Sequence, residues 1–287
     1  MLEVLKQLSI DDVLDLARFI NEEDGSYYDT YVVTTSTKKY IVKKSNINEL
    51  TNYLYLLRNL KPNIPKLYKS TEYNDEIYIL FSYFDGHNIR KCNRDDLIKA
   101  LDALICIQDK YWEKVELNES IYYKYKDTLK SRIERGKYIK DPLFAKYYEE
   151  FLNIYQNVNK TLCHDDLLPF NVLVNDTQAY LIDWEYASIM PYPTSLARLL
   201  AHFEENEDAF FYMKESDKEF AINYYYDNFI KHKNIPYDKY IETMNYFIFY
   251  EYMEWIMLGE KNNDKELPRY KEYYQKALKH IEEKLNK

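Results

Sequence analysis

The sequence predicts an α+β protein in two parts, a small β-rich N-terminal lobe over residues 1–84 and a larger, mostly helical lobe over residues 85–287. β-rich runs at residues 31–35, 39–43 and 76–81 crowd the first third of the chain. From Arg94 onward, apolar residues recur mainly at helical spacing. Within that helical stretch, short apolar runs at 172–174 and 179–182 flank an Asn175-Asp176 turn, as in a hairpin.

Taken in order, residues 4–20 place Leu5, Leu8, Val13, Leu16 and Ile20 at helical spacing and read as a helix. Residues 21–26 are a polar turn cluster. The runs at 31–35 and 39–43 form a hairpin around a Ser-Thr turn. Residues 48–60 read as a helix ended by Pro62 and Pro65, since proline cannot donate to the helical ladder. Residues 76–81 are a strand, and Asp85-Gly86 is a turn. Long helices fit 97–107, 143–155, 196–204, 217–231, 237–258 and 269–285. No internal repeat or low-complexity linker interrupts them.

Composition narrows the function. Lysine and arginine total 39 against 48 aspartates and glutamates, a net charge of −9. That excludes nucleic acid as a partner, because its phosphates demand basic patches. It suits a cationic small molecule, although an acidic surface is commonly just solvated. No apolar run approaches a membrane span and no basic leader with an apolar core opens the chain, so a cytoplasmic protein is expected. Cys92, Cys106 and Cys163 form no C-x-x-C pair and read as reduced thiols. The five histidines show no zinc spacing. The only glycines, Gly25, Gly86, Gly136 and Gly259, lie too far apart for a dinucleotide fingerprint or a Walker A loop. The abundance of tyrosine, 33 residues, reads as codon bias rather than function.

The chemistry concentrates in Cys163-His164-Asp165-Asp166-Leu167-Leu168-Pro169-Phe170-Asn171 and Leu181-Ile182-Asp183-Trp184-Glu185. The first reads as H-x-D-L-x-x-x-N, and the second places an Asp at the end of an apolar strand. These are the parts of a kinase-type phosphoryl-transfer site. Such a site needs a group that orients the attacking hydroxyl, and Asp166 suits that task. It also needs metal to neutralise phosphates, and Asn171 and Asp183 offer the hard oxygen ligands that Mg²⁺ prefers. A hairpin over 172–182 would return Asp183 close to Asn171.

These two segments resemble the catalytic and metal-binding segments of the aminoglycoside phosphotransferase and choline kinase superfamily, and their wording is especially similar to bacterial choline kinases. The resemblance implies a two-lobed, protein-kinase-like fold, with Asp166 as catalytic base and Asn171 and Asp183 as magnesium ligands. It implies ATP or GTP as phosphate donor, with no glycine-rich loop needed. One departure stands out. Family members usually carry an Asp before a Leu-Ala or Ile-Ala pair downstream, commonly to support the catalytic loop; here Ser195 precedes Leu196-Ala197.

The resemblance also marks Lys43 as the phosphate-binding lysine, with Lys44 as the alternative. Glu49 matches the lysine's ion-pair partner, and Asn46 with Glu49 equally fits a helix capping box. Residues 79–86 resemble the hinge between lobes, where the backbone of Ser82, Tyr83 and Phe84 would bond the adenine. Candidate acceptor contacts are the acidic cluster around Glu204 and the helix carrying Glu251, Glu254 and Trp255. A carboxylate and an aromatic four residues apart share a helix face and suit an ammonium group. Solvated acids and a core tryptophan are the commoner fates of such residues. The expectation is a kinase acting on a hydroxyl of a small, cationic molecule. An aminoglycoside-type antibiotic comes first, choline or another amino alcohol second, and a catalytically inactive nucleotide-binding homologue is the alternative of another class.

Overall fold

The computed structural model describes residues 1–21, 25–58, 63–114 and 119–286, with the backbone alone over 119–124. Pro62 and the expected end of the first long helix lie outside them.

The N-terminal region is an antiparallel sheet in the order β1-β2-β3-β5-β4. Its strands are β1 (Val13–Ile20), β2 (Tyr27–Thr35), β3 (Lys39–Ser45), β4 (Leu67–Tyr73) and β5 (Glu76–Ser82). The expected hairpin is present, with Thr34 opposite Lys39 and Val32 opposite Ile41. β3 pairs in turn with β5, placing Lys43 opposite Ile79.

The expected helix over 4–20 is corrected. Helix α1 spans only Leu2–Gln7. Ser9 then adopts φ 64°, a left-handed conformation that ends a helix. The rest of the stretch is β1, paired with β2 so that Leu16 faces Val33 and Arg18 faces Tyr31. A register shift between Val13 and Asp15 explains the misleading pattern. The bulge breaks the alternation of the strand, so Val13 and Leu16, three apart, are both half-buried. Leu5 and Leu8 do enter a core, packed with Val33, Val42 and Leu80 against the sheet.

Helix α2 (Ile47–Tyr55) crosses between β3 and β4. The Asn46 side chain caps it, accepting from the backbone N–H groups of Asn48 and Glu49. Asn52 on this helix donates to the carbonyls of Trp184 and Glu185 at 2.7 and 3.1 Å. Asn63 accepts from the Leu181 N–H at 2.9 Å. The sheet region is thus tied by side-chain and backbone hydrogen bonds to the segment that carries Asp183.

Gly86 lies where the chain leaves β5. A Cβ there would stand 2.6 Å from the Val174 carbonyl oxygen and 2.5 Å from the Phe84 ring, so only glycine lets these segments approach. Phe84 itself stacks on Tyr180, with ring centroids 4.1 Å apart.

The remainder is mainly helical. It comprises α3 (Arg94–Lys110), α4 (Glu119–Gly136), α5 (Pro142–Asn157), α6 (Pro193–Ala201), α7 (Glu215–Asn228), α8 (Tyr237–Asn262) and α9 (Pro268–His280). α4 has no counterpart in the sequence reading; among its described side chains the buried ones are Tyr125 and Arg132 rather than a leucine stripe. Short strands are set among these helices. β7 (Lys160–Cys163) pairs with β10 (Ser188–Pro191), while β6 (His87–Asn88), β8 (Val172–Val174) and β9 (Ala179–Leu181) form a small sheet. Buried aromatics fill the helical core, among them Trp184, Tyr148, Tyr155 and Phe247. No helix among the described residues is long and apolar enough to cross a membrane. The fold is α+β.

Candidate active site

The motif residues meet at the junction of the sheet and the helices. β7 delivers Cys163 and His164, and one turn of 3₁₀ helix, Pro169–Asn171, follows the loop that carries Asp165 and Asp166. Across the small sheet Val172 faces Leu181, and the Ile182 N–H bonds the Asn171 carbonyl at 3.0 Å. The hairpin therefore brings Asp183 beside Asn171. Asp165 and Asp183 both adopt positive φ, 59° and 65°. Such strain in non-glycine residues clusters at functional sites, where it aims a side chain.

The loop is held from several directions. The Asn171 amide donates to the Asp166 carbonyl at 2.8 Å, which leaves its side-chain oxygen as an acceptor. His164 is fully buried and bonds the Ile182 carbonyl through Nε2 at 2.7 Å. Burial lowers its pKa, so the ring is a neutral donor and a structural strut.

Ser195 accounts for the departure in the motif. It lies at the start of α6 and its hydroxyl accepts from the His164 N–H at 2.9 Å. A neutral oxygen thus supports the catalytic loop where the resemblance implies a carboxylate. Ser195→Ala should leave a buried N–H unpaired and cost about 1–3 kcal/mol, read as a lower thermal unfolding midpoint. Ser195→Asp should retain the support at the expense of a buried charge.

Lys43 and Lys44 separate clearly. Lys43 Nζ lies 2.8 Å from Glu49 and 2.6 Å from Asp183. Burial opposes its charge, but the Asp183 and Glu49 carboxylates hold its pKa above the usual lysine value. Lys44 points the other way, to Glu76 on the sheet surface. Glu49 is buried, which raises its pKa, and Ser45 also donates to it. Its carboxylate does not return to the Asn46 backbone, so the capping box is only half formed.

At the expected hinge, the Ser82 N–H is committed to the Lys66 carbonyl at 2.9 Å. That amide is spent inside the sheet. Tyr83 and Phe84 follow the strand and extend toward the small sheet, Tyr83 beneath the Lys39 ammonium and Phe84 on Tyr180.

Beside Asp166 opens a cavity of about 540 Å³. Asp165 and Asp166 line it from the loop, Arg198 from α6, and Tyr250, Glu251 and Glu254 from α8. The α4 face adds Asp127, Thr128, Ser131, Arg132 and Arg135. It is an ion-pair network rather than a bare acidic pocket. Arg198 bonds Asp166 at 2.9 Å, Glu251 at 2.9 Å and Glu254 at 3.0 Å. Arg132, between the rings of Tyr155 and Tyr250, bonds Asp165 at 2.7 Å. Arg135 bonds Glu254 at 2.6 Å. Burial pushes the Glu251 carboxyl up to about 7 against the pull of Arg198.

Two sequence candidates lie outside this lining. Trp255 packs on Tyr273 at 6.1 Å between centroids, with the Arg269 guanidinium over its face. It buttresses α8 against α9 and does not enter the cavity. Glu204 is paired through its backbone with Phe211 and Met213, and its carboxylate lies 3.8 Å from Lys276. Arg132, Asp165 and Arg198 are the site residues the sequence reading missed. Arg198 had a signal, a lone cation within the apolar Leu196-Ala197-Arg198-Leu199-Leu200 stretch.

Comparison with known proteins places the chain in a family. The model of the phosphotransferase enzyme family covers residues 23–221. Among curated proteins, Protein LicA of Haemophilus influenzae is 26% identical over 110 residues, spanning 38% of this chain and 41% of that protein. A choline/ethanolamine kinase family protein from Mesorhizobium loti superposes with a TM-score of 0.64 at 11% identity, covering 98% of this chain and 93% of that one. A thermostable mutant of aminoglycoside phosphotransferase APH(4)-Ia, in complex with ADP and hygromycin B, does so with a TM-score of 0.60 at 10% identity, covering 98% and 97%. The chain belongs to the phosphotransferase enzyme family and has a protein-kinase-like fold.

Proposed function

We propose that the protein transfers the γ-phosphate of ATP or GTP to a hydroxyl of a small, amine-bearing molecule held in the cavity beside Asp166. The observation that carries this is the single line of groups from Lys43 through Asp183 and Asn171 to Asp166, which opens on that cavity. Lys43, fixed by Glu49, takes the nucleotide phosphates. The Tyr83 and Phe84 backbone borders the base. Asp166 orients the acceptor hydroxyl and takes its proton as the oxygen bonds to the γ-phosphorus.

Asn171 offers one oxygen and Asp183 a partly exposed carboxylate, a donor set that fits Mg²⁺, which asks few ligands of a protein. When bound, the metal supplies charge neutralisation at the phosphate oxygens.

For the acceptor, five carboxylates among the described residues line the cavity against three guanidiniums, a net attraction for cations. Among the described residues the aromatic faces there are Tyr186 and Tyr250, and Trp255 is turned away. Shared carboxylates favour a polyamine-like acceptor of the aminoglycoside type. The wording of the motif segments favours choline or another amino alcohol as the second reading. Side-by-side ADP-release assays with aminoglycosides, choline and simple amino alcohols separate them. Phosphorylation of choline alone would rule out the antibiotic reading.

The cavity also has a pH signature. Glu251, at about 7, gains its charge as pH rises through neutrality. The kcat/KM for a cationic acceptor should therefore rise across that window, and Glu251→Gln should flatten the profile. The linked stability runs the other way. The folded state binds more protons than the unfolded one between the ordinary carboxyl value and about 7. The stability contributed by neutral Glu251 is complete below that window and is lost as pH rises through it. Thermal melts of wild type and Glu251→Gln across this range measure it.

A further inference from the structure

Arg198 touches Asp166 and the two α8 carboxylates at once, through different nitrogens. Nη2 donates to Asp166 Oδ1 at 2.9 Å. Nη1 lies 2.9 Å from Glu251, 3.0 Å from Glu254 and 3.3 Å from His202 Nε2. His202 is buried and its pKa is lowered to about 3, first by that burial and then by Arg198, so it faces the guanidinium as a neutral acceptor. Its Nδ1 is paired with the Tyr273 hydroxyl at 2.6 Å. The Arg198 Nε is buried with no partner among the described residues. The guanidinium is therefore held by charge at its tip and not along its stem.

We propose that Arg198 is a specificity-determining residue, an internal cation that occupies the acceptor's ammonium position and restrains Asp166 until a cationic acceptor replaces it. The inference rests on the kinase reading of this site. Its physical basis is a balance of charge. Withdrawing Arg198 alone would leave Asp166 and Glu251 without their ion-pair partner and Glu254 with Arg135 alone, and uncompensated charges in a partly dry site are costly. Exchanging one cation for another keeps the three carboxylates neutralised. Release of the base is thus cheap only when a cation enters. Water, which brings no charge, cannot release it.

The consequence is suppression of wasteful hydrolysis. In that side reaction a water oxygen bonds to the γ-phosphorus, its proton passes to Asp166, and the bond from the γ-phosphorus to the bridging oxygen breaks to release ADP. Nothing but water and the nucleotide is consumed. An Asp166 pinned through Oδ1 to Arg198 is poorly placed for this.

The test is ADP release from Mg-ATP with no acceptor present. Arg198→Met should raise the rate about tenfold, the size of effect from losing one charge-assisted hydrogen bond. The increase should vanish in Arg198→Met/Asp166→Asn. Methylammonium chloride, a cation with no hydroxyl to phosphorylate, should stimulate wild-type hydrolysis above sodium chloride of equal ionic strength and leave Arg198→Met unstimulated. If Arg198→Met is too unstable, Arg198→Met/Glu251→Gln relieves the carboxylate repulsion and gives the same reading. Equal or slower hydrolysis in the folded variant, with Mg-ATP binding intact by calorimetry, would overturn the proposal and make Arg198 a simple support for the base. Absence of Mg-ATP binding in the wild type would instead overturn the kinase reading itself.

Discussion

Replacing Asp166 by alanine is expected to abolish nearly all phosphoryl transfer while nucleotide binding survives. Asp166 lines the cavity and its loop is fixed by the Asn171 amide, yet it makes no contact with the Lys43, Glu49 and Asp183 cluster where the phosphates would sit. The loss should fall on kcat, about 10²–10⁴-fold, the usual contribution of a positioned general base. The nucleotide Kd should stay near that of wild type. The variant carries an added structural effect, because Arg198 loses one of three carboxylate partners. Asp166→Asn keeps the shape of the side chain and should show the same kinetic loss with less change in melting temperature. A variant that retained near-normal kcat with an identified acceptor would remove Asp166 from the chemistry.

The second large effect belongs to Asp183. Asp183→Asn should weaken Mg-nucleotide binding by at least about a hundredfold, the upper end of what even a supporting group costs a metal site. The change should be much smaller for nucleotide without metal. Lys43 gives a second readout. Its raised pKa depends on Asp183 and Glu49 offsetting the cost of burial, so the variant should lower the lysine pKa. Calorimetric titration with and without Mg²⁺ separates the two effects. Equal Mg-nucleotide affinity in mutant and wild type would contradict the assignment of Asp183 as ligand.

The parts of the site that could be read from the sequence are those whose chemistry demands particular residue types at short spacing. Asp166 and Asn171 sit in one loop, and a hairpin of fixed register returns Asp183 to them. Lys43 and Glu49 are six residues apart across one strand-to-helix turn. The sheet hairpin was legible for the same reason, since β2 and β3 alternate around a short turn.

What the sequence did not show depends on packing at long range. Arg132 reaches Asp165 across 33 positions, and Arg198 reaches Glu251 across 53. No local pattern records either pair. Helical spacing correctly put Glu251 and Trp255 on neighbouring turns, but it could not say where the cavity ends. α9 decides that, by laying Tyr273 and Arg269 over the tryptophan. The −9 net charge pointed to a cationic acceptor, yet most of the cavity's carboxylates already hold arginines. At the N-terminus, a β-bulge placed Val13 and Leu16 on one face, so a strand carried the spacing of a helix.

The measurement that tests the account most directly is ³¹P NMR of the product formed from Mg-ATP and the acceptor panel by wild type and Asp166→Asn. The account predicts a new phosphate monoester on an acceptor hydroxyl, formed at a stoichiometry of one per ADP, and its near-complete loss in Asp166→Asn. Inorganic phosphate as the only product across the panel, or ester formation at equal rates in both proteins, would contradict it.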